Sequence, residues 1–209
     1  MLIRSMRRCL GLHLYRVVSR PLGHEPSPPG RIDYRLMDER ELLPHCEDPD
    51  LELFEPHVRS AFARGDLCVG ALEGELLVGY QWLAFGPTPH TDGVWVDFAP
   101  EARYGYKQFV RPEYRGSRIA AALSAYGDPW CRRRGCSRTV AFIDLSNDAS
   151  RRAAARVGAK TVGYAGYLTL FDIFIGCRSA GAKALGVRFI APANAPAAAR
   201  GSRLPVASG

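Results

Sequence analysis

The chain has 209 residues, of which 47% are hydrophobic, and its formal net charge is +7. This length suits one domain with a buried core, and no run of about 18 apolar residues occurs that would cross a bilayer as a helix. Five Arg and one Glu give residues 1–30 a charge of +4, and four Arg and one Lys give residues 177–209 a charge of +5, which leaves −2 for residues 31–176. Because nucleic-acid-binding domains usually carry their positive charge on the folded body, this distribution argues against nucleic acid as a partner.

The six cysteines form neither a CxxC pair nor a Cys/His spacing of the kind that zinc sites use, so we expect no metal and a reducing, cytoplasmic environment. Residues 1–22 predict a basic amphipathic helix, and Arg16 and Arg20 interrupt any apolar core of a secretion signal. Such a helix would pack on the domain, fray, or lie on a membrane surface as a peripheral contact. The segment GHEPSPPG that follows it predicts a linker.

Secondary structure predicted along residues 31–176 alternates between strands and helices. The predicted elements are a strand at 31–37, two helices within 39–64, a hairpin of strands at 67–72 and 76–85, strands at 94–98 and 104–110, a helix at 116–134, a strand at 138–145, a helix at 147–157, and one or two strands within 161–175. This order predicts an α+β fold with a mixed, mostly antiparallel sheet. We therefore divide the chain into a basic N-terminal segment and linker at 1–30, a domain at 31–176, and a basic tail rich in Pro and small residues at 177–209, largely disordered after Ile190.

A phosphate-binding turn is predicted in the segment FVRPEYRGSRIAAAL at 109–123. A strand stops at Pro112, and a helix begins after Gly116, where a positive φ is available. The start of that helix exposes unpaired N–H groups at the positive end of the helix dipole, and Arg115 and Arg118 add cationic charge. A diphosphate group is the ligand that such a corner favours.

A second helix start, LSNDASRRAAARVGA at 145–159, follows the next predicted strand. Asn147 stands at the end of that strand, where its amide would cap the helix and face the same ligand. The two helix starts together predict one shared cleft.

On these residues the chain resembles the GNAT superfamily of N-acetyltransferases. Its pattern V-x-P-x-x-[RQ]-x-x-G-x-[GA] is met by Val110, Pro112, Arg115 and Ala120, although Arg118 stands where the pattern has glycine. The second family motif, N-x-A-S before a helix ending in G-[FA], is met at 147–150 and 158–159.

The resemblance implies a three-layer α/β/α fold with a splayed central strand pair, and acetyl-CoA or another acyl-CoA as co-substrate. It places the pyrophosphate on the amides of residues 117–121 and the pantetheine arm beside Phe109 and Val110. The implied donor-binding residues are Phe109, Val110, Arg115, Gly116, Ser117, Arg118, Ile119, Ala120, Ala121 and Asn147. The implied reaction is direct attack of an amine on the thioester, with an oxyanion stabilised by a main-chain N–H near Val110.

The family often carries a tyrosine that protonates the leaving thiolate, and the matching position here is Ala154. Tyr104 and Tyr106 are the main substitute candidates, and Asp97 is the main candidate for the general base. Further candidates are His90, Glu101, Tyr164 and Tyr167.

Two functions remain open from the sequence. The first is an N-acyltransferase acting on a small-molecule amine, a protein N-terminus or a lysine side chain. The second, motivated by Ala154, is an acyl-CoA-binding or sensing module without catalysis. Acceptor pockets would come from residues 39–64 and 85–92, which no motif specifies.

Overall fold

The fold is described from a computed structural model that covers residues 11–23, 30–91, 93–171 and 173–194. The strands within these ranges are β1 (Leu12–Pro21), β2 (Asp33–Met37), β3 (Leu67–Glu73), β4 (Leu76–Ala84), β5 (Thr88–Pro89), β6 (Trp95–Asp97), β7 (Ala102–Val110), β8 (Arg138–Asp144), β9 (Lys160–Leu170), β10 (Ile173–Arg178) and β11 (Arg188–Ile190). The α-helices are α1 (Glu39–Leu42), α2 (Glu55–Ala63), α3 (Ile119–Tyr126), α4 (Asp128–Arg133), α5 (Asp148–Arg156) and α6 (Ala180–Ala184). Short 3₁₀ turns cover Leu43–Glu47, Pro49–Leu51, Pro112–Tyr114 and Pro192–Asn194.

The main sheet has eight strands in the order β10-β9-β1-β8-β7-β4-β3-β2. All neighbours in it are antiparallel except β7 and β8, which are parallel. These two strands pair only from Ala102 opposite Arg138 to Tyr104 opposite Val140. Since β7 continues to Val110 and β8 to Asp144, the two strands separate beyond the third pair, and the splayed central pair is confirmed.

Helices cover both faces of this sheet. On one face Ile119 and Leu123 of α3 pack against Leu83 of β4. On the other face α1, α2 and a small sheet of order β11-β6-β5 share a core with the main sheet, to which Leu42 and Val58 contribute. This arrangement confirms the predicted α+β class and its three layers.

The helix predicted for residues 1–22 is wrong over Leu12–Pro21, which form β1 between β8 and β9. Along β1 the buried side chains His13, Tyr15 and Val17 recur at every second residue, the period of a strand. The burial of these side chains when β1 completes the sheet stabilises the strand more than the leucine spacing would stabilise an amphipathic helix. Residues 1–10 and the predicted linker at 24–29 lie outside the described residues. Among the described residues no helix has the length and apolar character needed to cross a membrane.

The structure also extends past the predicted end of the domain. β10 runs to Arg178, and β11 pairs with β6 through Arg188 opposite Asp97. Val187 and Phe189 are buried in the core, so this part of the predicted tail is packed. We propose a folding unit from Leu12 to Ile190 in place of 31–176; residues 195–209 lie outside the described residues.

The single helix predicted over 116–134 is broken into α3 and α4 at Gly127. A Cβ at this glycine would lie 2.4 Å from Leu83 Cδ1 and 3.0 Å from the Arg103 guanidinium, so a larger residue does not fit. Pro129 begins the new helix, where its missing N–H is tolerated. The break buries Asp128 beneath the sheet.

Asp128 is the centre of a buried ion cluster that joins β1, β7 and α3. Its carboxylate accepts hydrogen bonds from Arg20 at 2.7 and 2.9 Å, from Arg103 at 2.5 Å and from the backbone of Gly23 at 2.8 Å. Both guanidinium groups also donate to the carbonyl of Ser124. All three charged side chains are at most 2% exposed, so removing the Asp128 carboxylate would leave two buried guanidinium groups without it.

We predict that Asp128→Asn lowers the free energy of unfolding by about 3–5 kcal/mol, because two buried arginines lose their carboxylate. Urea denaturation followed by circular dichroism measures this change. The control is Asp148→Asn, which breaks the exposed pair of Asp148 with Arg151 and should change stability little. Equal effects of the two substitutions would contradict the role of the cluster.

Candidate functional site

The gap between β7 and β8 forms a slot of about 210 Å³. Tyr104 and Tyr106 line it from β7, and Phe142 lines it from β8. Ser150 and Ala154 of α5 line it from the helical layer. The slot therefore follows directly from the separation of the two parallel strands.

A groove of about 480 Å³ adjoins the slot. Four residues line both cavities, so the two are adjacent: Gln108, Ala120, Ser150 and Ala153. Four arginines line the groove: Arg115, Arg118, Arg152 and Arg156. Its remaining wall includes several small residues, which leave the backbone accessible: Gly116, Ala120, Ala121, Ala149 and Ala153.

The groove contains the start of α3, which has the geometry of an anion site. Gly116 has φ of +88° and Arg118, the N-cap residue, has φ of +67°. Within the described part of the chain no side chain caps this helix start, so its first N–H groups remain available to a ligand. Arg118 therefore adopts the backbone conformation that favours glycine, the residue that the family pattern has at this position.

A β-bulge in β7 lies where the slot meets the groove. Tyr106 pairs with Trp82 and Phe109 with Tyr80, so two residues, Lys107 and Gln108, oppose one on β4. Lys107 has φ of +43°. The side chain of Gln108 donates to the carbonyl of Ala120 at 2.7 Å and thereby links the bulge to α3.

Eight of the ten predicted donor-binding residues line the groove: Phe109, Val110, Arg115, Gly116, Arg118, Ile119, Ala120 and Ala121. Ser117 does not, because its hydroxyl turns back to donate to the carbonyl of Tyr114. Asn147 does not either, because its side-chain oxygen caps α5 by accepting from the Ser150 N–H at 2.9 Å.

Two of the three predicted catalytic residues line the slot. The Tyr106 hydroxyl donates to Asp66 at 2.7 Å and accepts from Arg64 at 3.2 Å. Burial, reinforced by Asp66, raises the pKa of Tyr106 well above its ordinary value. Burial also raises the pKa of Asp66, and the positive charge of Arg64 partly offsets this rise. Burial raises the pKa of Tyr104, whose hydroxyl lies 3.2 Å from His90 Nδ1.

The third predicted residue, Asp97, is placed away from both cavities. It belongs to β6 of the small sheet, where its carboxylate accepts from Arg188 at 2.7 and 3.0 Å. This pairing depends on β11, a strand that sequence reasoning assigned to a tail. The remaining candidates do not line either cavity: His90, Glu101, Tyr164 and Tyr167.

Sequence reasoning missed several residues of the site. Arg152 and Arg156 line the groove one helical turn apart on α5, a spacing that the sequence shows. Lys107 lines the slot, and Glu52 lines the groove from the segment before α2. Asp66 lies behind Tyr106. No local sequence pattern identifies Lys107, Glu52 or Asp66 as site residues, because contacts between segments far apart in the sequence bring them together.

His57 lies behind the slot, with its ring 5.9 Å from that of Tyr106. It is 3% exposed, and neither ring nitrogen has a hydrogen-bond partner among the described residues. Burial, together with Lys107 and Arg64, lowers its pKa to about 3. The imidazole is therefore neutral at physiological pH. Separately, no group of three or more potential metal ligands occurs in the described part of the chain.

The family model for the Acetyltransferase (GNAT) family matches residues 33–159, more than half of the chain. The chain belongs to the GNAT family of acetyltransferases. The matched segment runs from β2 to the end of α5 and includes the anion site and both walls of the slot. A search of curated proteins finds no match.

Solved GNAT structures show the same fold. A GNAT protein from Sphaerobacter thermophilus is 18% identical with a TM-score of 0.52, over 85% of this chain and 55% of that one. One from Kribbella flavida is 11% identical with a TM-score of 0.53, over 80% and 62%. A putative GNAT acetyltransferase from Novosphingobium aromaticivorans is 15% identical with a TM-score of 0.51, over 73% and 62%. The chain thus spans 55–62% of the length of these proteins.

We predict that Arg118→Gly raises the free energy of unfolding by about 1 kcal/mol relative to Arg118→Ala, because only glycine adopts this positive φ without strain. Both substitutions remove the same guanidinium, so the difference isolates the backbone. Thermal and urea unfolding of the two variants measure it. If Arg118→Ala were as stable as Arg118→Gly, this GNAT turn would not be strained.

We predict that acid destabilises the protein through His57. Its folded pKa lies below the unfolded value of 6.5, so the unfolded state alone takes up a proton as the pH falls from about 6.5 toward 3, and stability is lost over that window. Between about pH 6.5 and pH 5 this loss amounts to about 2 kcal/mol.

Urea unfolding of wild type and His57→Leu at both pH values measures this contribution. The variant should lose less stability on acidification than wild type. His45→Gln serves as the comparison: burial also lowers the pKa of His45, but this side chain is only partly buried, so its substitution should change the acid response less than His57→Leu does. An equal loss in wild type and His57→Leu would contradict the assignment.

Proposed function

We propose that this GNAT protein transfers an acetyl or longer acyl group from a coenzyme A thioester to an amine by direct attack. The observation that carries the proposal is the adjacency of two cavities. An arginine-lined groove at an uncapped helix start lies beside a slot between splayed parallel strands. Their combined form suits a ligand with phosphates at one end and a narrow reactive arm at the other.

The phosphates would bind at the start of α3. Its free N–H groups and the helix dipole favour anions, and Arg115 and Arg118 lie on the same wall. Arg152 and Arg156 extend the positive charge along α5, where a further phosphate of coenzyme A would bind.

The pantetheine arm would lie along β7 beside Phe109 and Val110. Beyond Tyr104 the edge of β7 that faces β8 pairs with none of the described strands, so its backbone groups are available to the amides of the arm. The thioester would then reach the bulge at Lys107 and Gln108, where a main-chain N–H near Val110 would stabilise the oxyanion.

In the reaction the amine nitrogen forms a bond to the thioester carbon, and the carbon–sulfur bond breaks. The proton of the amine would pass through the Tyr106 hydroxyl to Asp66, 2.7 Å away. The coenzyme A thiolate leaves and would take up the proton that Asp66 received, returned through the Tyr106 hydroxyl. Ala154 lines the slot without a proton donor, and Tyr104 is the other hydroxyl group there. No covalent intermediate on the protein is required.

The acceptor would be a small-molecule amine, with a protein N-terminus or lysine as alternatives. A cytoplasmic location, with peripheral membrane contact through residues 1–10, is part of the same proposal. A second candidate function is a non-catalytic acyl-CoA-binding module, which the alanine at 154 favours because it faces the slot where the family often has an acid.

The test follows thiol release from acyl-CoAs of increasing chain length with a panel of amines, alongside binding of coenzyme A by calorimetry. Turnover that depends on both substrates supports the transferase. Binding of coenzyme A without turnover for any pair supports the binding module and contradicts catalysis.

In the same assay we predict that Arg156→Glu raises KM for the acyl-CoA about tenfold, because it places a negative charge beside the phosphates. kcat should change little, since the reacting atoms are remote. Arg40→Glu on α1 is the control, because Arg40 is exposed and lines neither cavity. The same KM in both variants would contradict phosphate binding along α5.

A further inference from the structure

Glu52 supplies the carboxylate of the cleft. Among the residues that line the groove and the slot, no other Asp or Glu occurs, whereas four arginines line the groove. The Glu52 carboxylate is exposed and forms no hydrogen bond or ion pair with the described residues. This carboxylate, which forms no hydrogen bond or salt bridge within the described part of a cleft that is otherwise positive, is available to bind a cation.

The backbone holds Glu52 in this position. Leu51 and Leu53 on either side are 0% and 4% exposed, so the chain is anchored and Glu52 is directed outward. The Tyr80 hydroxyl donates to the carbonyls of Leu51 at 2.9 Å and Glu52 at 3.4 Å. Asp48, which begins this segment, pairs with Arg111 after β7.

Glu52 also adopts a strained backbone, with φ of +52°. Four of the described non-glycine residues have a positive φ. Three of these four line the slot or the groove: Glu52, Lys107 and Arg118. Such strain costs about 1–3 kcal/mol and is typical of functional sites. Glycine would remove that cost at position 52 but would also remove the carboxylate.

An ammonium of the chain itself already occupies the space near Glu52. The Lys107 Nζ lies over the ring of Phe54, 5.8 Å from its centroid, within the range of a cation–π contact. Phe54 is 43% exposed, so its ring is open to ligands. Partial burial lowers the pKa of Lys107, and Glu52 opposes this shift by favouring the charged form. Lys107 has a long, mobile stem and a cation from outside can displace it.

We infer that Glu52 and Phe54 bind a protonated amino group of the acceptor, which replaces the Lys107 ammonium. This inference rests on the proposed transferase function and names its substrate class. A nitrogen held by a carboxylate keeps its proton and cannot attack a thioester. The acceptor therefore carries two amino groups, one held here as an ammonium and one that enters the slot neutral and is acylated.

The experiment compares α,ω-diamines of three to six carbons with the n-alkylamines of the same length. Wild type should prefer the diamine in kcat/KM. Glu52→Gln should reduce kcat/KM for the diamine about two- to fivefold through KM, the size expected for one exposed ion pair, and leave the monoamine unchanged. Glu75→Gln, at an exposed turn, is the matched control.

Glu52→Gly keeps the test valid if Glu52→Gln misfolds, since glycine accepts the positive φ. It should be at least as stable as wild type and lose the same preference. Equal losses for diamine and monoamine in either variant, or an unchanged preference, would overturn the inference.

Ligand-observed NMR of the diamine, with coenzyme A present and no acyl donor, separates this inference from the proposed function. Diamine binding that requires Glu52 supports the site even if no acyl-CoA is turned over. Turnover of amines with no dependence on Glu52 supports the transferase and refutes the site.

Discussion

The cleft depends on one buried carboxylate. The Asp128 carboxylate accepts hydrogen bonds from Arg20 of β1 and Arg103 of β7, and the Arg103 Nε donates to Thr139 of β8 at 2.8 Å. Arg103 and Thr139 lie opposite each other in the short parallel pairing. The cluster therefore holds the neighbouring strands β1, β8 and β7 together at the end where β7 and β8 are paired. With that end fixed, the strands can diverge at the other end without the sheet coming apart.

The open end is maintained by a different set of interactions. The bulge at Lys107 and Gln108 bends β7, and Gln108 holds it to α3 through the carbonyl of Ala120. The strained residues Glu52, Lys107 and Arg118 surround this opening. Stability gained in the two hydrophobic cores and at Asp128 offsets the strain, which is the usual relation between scaffold and site.

The parts of the site predicted from sequence are those encoded locally. The turn at Gly116 and the start of α3 follow from a proline, a glycine and small residues within one segment, and eight of its predicted residues line the groove. Asp97 and β1 were misjudged because strand pairing with β11, β8 and β9 decides their positions. Glu52 reaches the cleft through Tyr80 on another strand, a contact that no local pattern encodes.

The position of β1 has a consequence for folding. Val17 pairs with Phe142 on one side and Gly163 on the other, both far along the chain. β1 leaves the ribosome before either partner and must remain unpaired until β8 and β9 have been made. Strand pairs between residues so far apart in the sequence form slowly, and until they form the strand edges are exposed to other chains. A fragment limited to residues 33–159 would lack β1 and would leave that edge of β8 without its strand partner. The segment that matches the family model therefore does not form the complete sheet by itself.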